Sequence, residues 1–117
     1  MVASTLEVLE IAEVGPMLEG AGHPFSEEEL AFARARSDPE RRLAARLAAK
    51  RAAARLLGAD ITPADVEVTR RPGHPPRLRL SARAQARLRE QGADDILVSL
   101  THERRHAAAA VLLIRSR

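Results

Sequence analysis

The segment from Arg46 to Gly58, RLAAKRAAARLLG, constrains this chain more than any other. Ala, Leu and Arg are strong helix formers, and Gly is favoured just past a helix end. The segment therefore predicts a helix closed by Gly58. Few large side chains are on hand to pack around it: of 117 residues only Phe25 and Phe32 are aromatic. The core must be built from Ala, Leu, Val and Ile. Apolar residues make up 45% of the chain, within the range of globular proteins. The length suits one domain, 1–117, with a modest core that assembly into an oligomer would help.

Around that helix the pattern alternates between strand and helix periods. Leu6, Glu7 and Val8 alternate as in a strand with one buried face, and the period loosens toward helix between Glu10 and Glu13. Gly15, Pro16, Gly20, Gly22 and Pro24 read as a loop. Ser26 is an N-cap with Glu29 at the capping-box position, and its helix is expected to reach about Arg36. Ser37 to Glu40 (SDPE) restarts a second helix that ends at Leu57 and places Leu43, Leu47 and Ala54 near one face. Thr62 to Asp65 is a turn. Val66–Arg70 and Arg77–Leu80 alternate as two strands of a hairpin. Ser81 caps an Arg-rich helix to Gln91. Two apolar strands follow, 95–101 and 106–114, joined by a turn over His102–Arg105. The fold class is α+β.

Several function classes are excluded or disfavoured. Without cysteine there is no disulfide and no thiolate metal site. The longest apolar run, 107–114, is too short to span a bilayer, and the first residues lack the pattern of a secretory signal. The expectation is a soluble, cytoplasmic protein with no membrane partner. The formal charge is +3, with the positive side carried almost wholly by arginine and Lys50 the only lysine. Arginine forks suit phosphate and carboxylate. The chain offers no aromatic platform on which single-stranded bases stack, so no nucleic-acid partner is expected.

On their own the residues name no chemistry. His23, His74, His102 and His106 show no metal-ligand spacing on a helix. There is no phosphate-binding Gly loop and no nucleophile elbow. His102 closes an apolar strand, where sites often lie, but spacing alone favours a turn histidine with a local hydrogen bond.

The stretch Val98 to His102 (VSLTH), followed by a charged turn and an apolar strand carrying Ala107 and Ala109, resembles the end of the holo-acyl-carrier-protein synthase family, the small 4′-phosphopantetheinyl transferases. Five further segments resemble the family in the same order: Leu6–Ile11 (LEVLEI), Phe25–Leu30 (FSEEEL), Arg46–Ala54 (RLAAKRAAA), Ala64–Val68 (ADVEV) and Gly73–Leu80 (GHPPRLRL). The resemblance implies a 4′-phosphopantetheinyl transferase-like fold, a small antiparallel sheet on a long helix, in a homotrimer with sites between subunits. It also implies coenzyme A as cofactor, an acyl carrier protein as partner, and Mg²⁺ held by an Asp of the first strand and a Glu after the helix Lys. The residues it points to are Glu7, Arg51, Arg55 and His102 for catalysis, and Lys50, Arg46, Ser99 and His102 for the coenzyme.

The chain departs from that pattern at the metal. Glu7 stands where the family has Asp, and Arg51 where it has the ligating Glu; His106 replaces a Tyr, Thr5 a Gly, Arg55 a Lys, and Glu13 a basic residue. An arginine repels a cation, so Mg²⁺-dependent transfer is not expected to survive unchanged. The substitutions suggest an ion pair between Glu7 and Arg51, with Arg55 on Glu13 or another acid. Two functions follow. One is a diverged transferase acting on a carrier protein and coenzyme A. The alternative is a non-transferase family member that binds a carrier protein or catalyses another reaction on a carrier-bound chain in fatty-acid or polyketide biosynthesis, with His102 as the acid–base group.

Overall fold

The structure is a computed structural model and describes residues 1–20 and 22–116. The elements are β1 (Ala3–Glu10), a 3-10 turn (Ile11–Glu13), α1 (Val14–Glu19), α2 (Glu27–Arg34), α3 (Pro39–Leu57), a 3-10 turn (Pro63–Asp65), β2 (Val66–Thr69), β3 (Arg77–Leu80), α4 (Ala82–Glu90), β4 (Asp95–His102) and β5 (His106–Ile114). An antiparallel sheet of order β1-β5-β4 packs one face on α3, and β2 and β3 form a separate antiparallel hairpin. The α+β class and the small sheet on a long helix are as expected. No helix among the described residues is long and apolar enough to cross a membrane.

Helix α3 is more central than its sequence suggests. Between Leu43 and Leu57 only Arg51, Arg55 and Leu56 are not buried. A single apolar stripe of Leu43, Leu47 and Ala54 therefore understates it, because α2 and β2 cover the side that the sheet leaves open. Alanine makes this possible, since its small side chain lets neighbouring backbones approach closely. Gly58 ends the helix at φ 147°, where a side chain is disfavoured, and its N–H donates to the Ala54 carbonyl.

The sheet alternates strictly. Leu9, Ala107, Ala109, Val111 and Leu113 are buried toward α3, while Leu6 and Val8 stay 62% and 54% exposed on the opposite face. Strand period 2 accounts for both sets. Several boundaries differ from expectation: β2 stops at Thr69 rather than Arg70, and β4 runs on to His102, which pairs with Ala107 instead of opening the turn. The segment of Gly15 and Pro16 is not loop but the start of α1, because Pro is tolerated in a first turn whose N–H groups have no intrahelical partner. Helix α2 stops at Arg34 rather than Arg36, where the Arg36 N–H turns back to the Ala33 carbonyl.

Glu29 joins three elements. The Ser26 hydroxyl accepts from the Glu29 N–H at 3.1 Å and the Glu29 carboxylate accepts from the Ser26 N–H at 2.8 Å, which is the capping box read from the sequence. The same carboxylate accepts from Lys50 Nζ at 2.7 Å and from the Val68 N–H at 2.7 Å. Both Glu29 and Lys50 are buried. Removing one partner of such a pair strands the other charge in the interior. We expect Glu29→Ala to destabilise the fold by about 3–5 kcal/mol in urea denaturation.

Asp65 fastens the hairpin. Its carboxylate accepts from the Thr62 N–H at 2.9 Å, the Ser81 hydroxyl at 2.8 Å and Arg83 at 3.1 Å. The Thr62 N–H above all holds the carboxyl down to about 2; burial opposes it, and Ser81 and Arg83 add to the lowering. A carboxyl lowered on folding stabilises the folded state above its unfolded value near 3.9, and that support fades as pH falls through the folded value. Water screens this near-surface group, so Asp65→Asn is expected to cost about 1 kcal/mol at pH 7. The difference from the parent should shrink steadily as denaturation is repeated from pH 4 toward pH 2.

Candidate functional site

Helix α3 carries two charged clusters on opposite sides. At about 100° per residue, Arg46 and Arg55 lie roughly 180° apart around it. The first cluster surrounds Arg46, which is only 3% exposed. Its guanidinium lies over the Phe32 ring at 4.0 Å, and that of Arg36 over the same ring at 4.4 Å, both cation–π distances. Arg46 donates to the Arg42 carbonyl at 3.5 Å, but its Nε has no hydrogen-bond partner among the described residues. Burial pulls this guanidinium down to about 10; Glu29 opposes the shift, and Arg70, Arg42 and Arg36 add to it. The site holds more positive charge than it neutralises.

Three adjoining clefts open on this cluster. One of about 290 Å³ is lined by Arg42, Arg46, Arg70 and His102. One of about 430 Å³ lies between Phe32, Arg36, Arg42, Arg70 and Arg71. A third, about 380 Å³, runs past Arg46 to Arg79. Arg42 and Arg46 come from α3, Arg70 and Arg71 follow β2, and His102 ends β4. Arginine density was the only signal in the sequence, and it does not say which arginines converge. Arg36, Arg42, Arg70 and Arg71 are therefore lining residues that sequence reasoning missed. Among the described residues no side-chain hydrogen bond ties His102 to its turn, whereas His106 pairs with Glu103 at 2.9 Å.

The second cluster lies between α3 and β1. Arg55 donates to Glu7 at 2.5 Å, to the Thr5 hydroxyl at 2.9 Å and to the Leu6 carbonyl at 3.1 Å. Arg51 faces Glu13 at 3.7 Å. The expected pairing of Glu7 with Arg51 and of Arg55 with Glu13 is thus exchanged. The cause is direction: β1 runs antiparallel to α3, so Glu7 meets the later arginine, Glu13 the earlier one, and Gly15 abuts Glu40.

Of the other candidates, Lys50 is buried against Glu29 and gives its ammonium to the interior. Ser99 alternates with Val98 and Leu100 and stands on the exposed side of the sheet, away from His102. The structure thus gathers Arg46 and His102 in one place and Glu7, Arg51 and Arg55 in another.

The donor set around Glu7 does not fit the Mg²⁺ that the resemblance implies. The Glu7 carboxylate is already held by a guanidinium. Among the described residues no three His, Asp or Glu side chains come together. A dication about 5 Å from a guanidinium is repelled by roughly 7 kcal/mol at an effective dielectric of about 20.

No family model matches the chain. It is 41% identical to a holo-[acyl-carrier-protein] synthase of Thermus thermophilus, over 97% of this chain and 93% of that protein. It is 35% identical to the synthase of that name from Moorella thermoacetica, over 97% and 94%. The Mycobacterium tuberculosis acyl carrier protein synthase structure superposes with a TM-score of 0.76 at 29% identity, covering 97% of each chain. The Neisseria meningitidis holo-[acyl-carrier-protein] synthase gives 0.81 at 18%, over 98% and 99%. The Helicobacter pylori protein, solved with coenzyme A, gives 0.78 at 18%, over 95% and 99%. At that identity the last two speak to the fold.

A buried cation short of partners costs stability. Arg46→Met retains the apolar stem over Phe32 and discards the charge. We expect its melting temperature to equal or exceed the parent's, while calorimetric binding of inorganic pyrophosphate weakens at least about tenfold.

Proposed function

The chain belongs to the holo-[acyl-carrier-protein] synthase family, and from that premise we propose that it binds coenzyme A and transfers its phosphopantetheine to a serine of an acyl carrier protein. The observation that carries this reading is Arg46, buried and short of a partner among Arg36, Arg42 and Arg70. Coenzyme A has three phosphate groups, and guanidinium forks bind phosphate in two-point contacts. The nucleotide end occupies the clefts beside Arg46 and His102.

In the transfer the serine oxygen attacks the β-phosphorus of the coenzyme, a P–O bond forms, and the bond from that phosphorus to the bridging oxygen breaks. 3′,5′-ADP leaves, and the serine proton passes to a base. In this reading arginines supply the positive field for the developing charge on the phosphoryl oxygens. His102, whose imidazole can both take up and give a proton, is the acid–base group.

The two clusters face away from each other on one helix, so a single chain cannot present both to one coenzyme molecule. A second copy can. Leu6, Val8 and Leu97 leave an apolar face on the sheet opposite α3, at 62%, 54% and 45% exposure. Patches of this kind mark interfaces. We place the active unit as a homotrimer, a cytoplasmic assembly in which the Arg46 cleft of one copy meets the Glu7–Arg55 edge of the next.

A second reading rests on Glu7. Its carboxylate is held by Arg55 at 2.5 Å, as expected of a group with a structural task. The chain would then be a non-transferase member that binds carrier protein. Intact-mass analysis separates the two. Apo carrier protein incubated with coenzyme A, Mg²⁺ and this chain is expected to gain the mass of a phosphopantetheine group. Arg46→Ala should slow that gain at least about tenfold, as loss of a buried phosphate contact does. Carrier binding with no mass gain across several carrier proteins would establish the second reading.

A further inference from the structure

The two arginines on the β1 side of α3 are not equivalent. Arg55 has its fork fixed to β1, on Glu7, Thr5 and the Leu6 carbonyl. Arg51 has a longer contact, 3.7 Å to Glu13, and its side chain is one-third exposed. Glu13 is itself engaged, accepting from the Glu10 N–H at 3.1 Å. Both carboxylates of this edge therefore already face a cation, one for one. A divalent ion would have to displace a guanidinium from Glu7 and then sit beside two of them.

We infer that Arg55 neutralises Glu7 and holds β1 against α3, and that Arg51 takes the place of a divalent cation, giving its guanidinium directly to the pyrophosphate of the ligand, so that binding requires no metal. This rests on the coenzyme A reading above. The geometry suits the division. Arg51 and Arg55 are four residues apart and share one side of the helix, so the anchored residue sets the edge and the looser one reaches out from it. A guanidinium offers two parallel N–H donors to phosphate oxygens, the bidentate contact that arginine makes best. It offers only donors and cannot ligate a metal. Its contact with Glu13 is long and exposed, the kind of ion pair that contributes little and is readily given up.

The test uses the full chain and two titrations. The first adds Mn²⁺ alone, a spectroscopic stand-in for Mg²⁺, and follows free Mn²⁺ by electron paramagnetic resonance. The second measures coenzyme A binding by calorimetry in EDTA and in Mg²⁺. For the parent chain we expect no stoichiometric Mn²⁺ site and dissociation constants that agree within about twofold in the two buffers. Arg51→Ala should weaken coenzyme A at least about tenfold in both, with its melting temperature unchanged. Arg51→Glu removes that guanidinium, sets a second carboxylate on this edge beside Glu13, and should acquire an Mn²⁺ site that the parent lacks. A stoichiometric Mn²⁺ site in the parent, or a tenfold loss of coenzyme A affinity in EDTA, would overturn the inference. So would normal coenzyme affinity in Arg51→Ala. No coenzyme A binding in either buffer would instead remove the coenzyme reading, and with it the role of Arg51 on pyrophosphate. The Mn²⁺ titration would still decide whether the arginines exclude a metal.

Discussion

One buried carboxylate sets the geometry on which everything else depends. Glu29 accepts from Ser26 in its own helix start, from Lys50 in α3 and from the Val68 N–H in β2. With these bonds made, α2 and β2 are fixed to one side of α3 while the sheet covers the other. The rotation of α3 about its own axis is then determined. Arg46 must look toward Phe32 and the clefts, and Arg51 and Arg55 must look toward β1. The chemistry of this chain is a matter of which arginine faces where, so a pair buried in the interior decides it.

The parts legible in the sequence were those set by neighbours in the chain. The Ser26–Glu29 capping box, the end of α3 at Gly58 and the β2–β3 hairpin all follow from short-range rules. The second task of Glu29 was not legible. A capping glutamate is ordinarily exposed, and nothing in FSEEEL says that Lys50 and Val68 will converge on it. Helix α1 was missed for the opposite reason: Gly15 and Pro16 weigh toward a loop, and only tertiary placement turns them into a first turn.

The candidate site divides in the same way. The positions of Glu7, Arg46, Arg51, Arg55 and His102 could be singled out by resemblance, because short motifs carry them. Their pairing could not, because it depends on β1 running against α3. The arginine clefts were less legible still. Phe32, Arg36, Arg42 and Arg70 come from three separate segments, and in a chain so rich in arginine no one of them stands out. Likewise Ser99 shares a motif with His102, yet an odd separation along a strand puts the two on opposite faces.

The burial of α3 also restricts how such a chain can diverge. From Leu43 to Leu57 nearly every position is packed, mostly as alanine with no room for a larger residue. Substitution there disturbs the core. Position 51 lies along the one open margin, where a residue can be exchanged for another of different charge without repacking, whereas Arg55 on the same margin is tied to Glu7. A lineage built on this helix can thus rewrite its electrostatics at that margin while its interior stays as it was, and the same freedom is closed to Lys50, one residue away and turned inward.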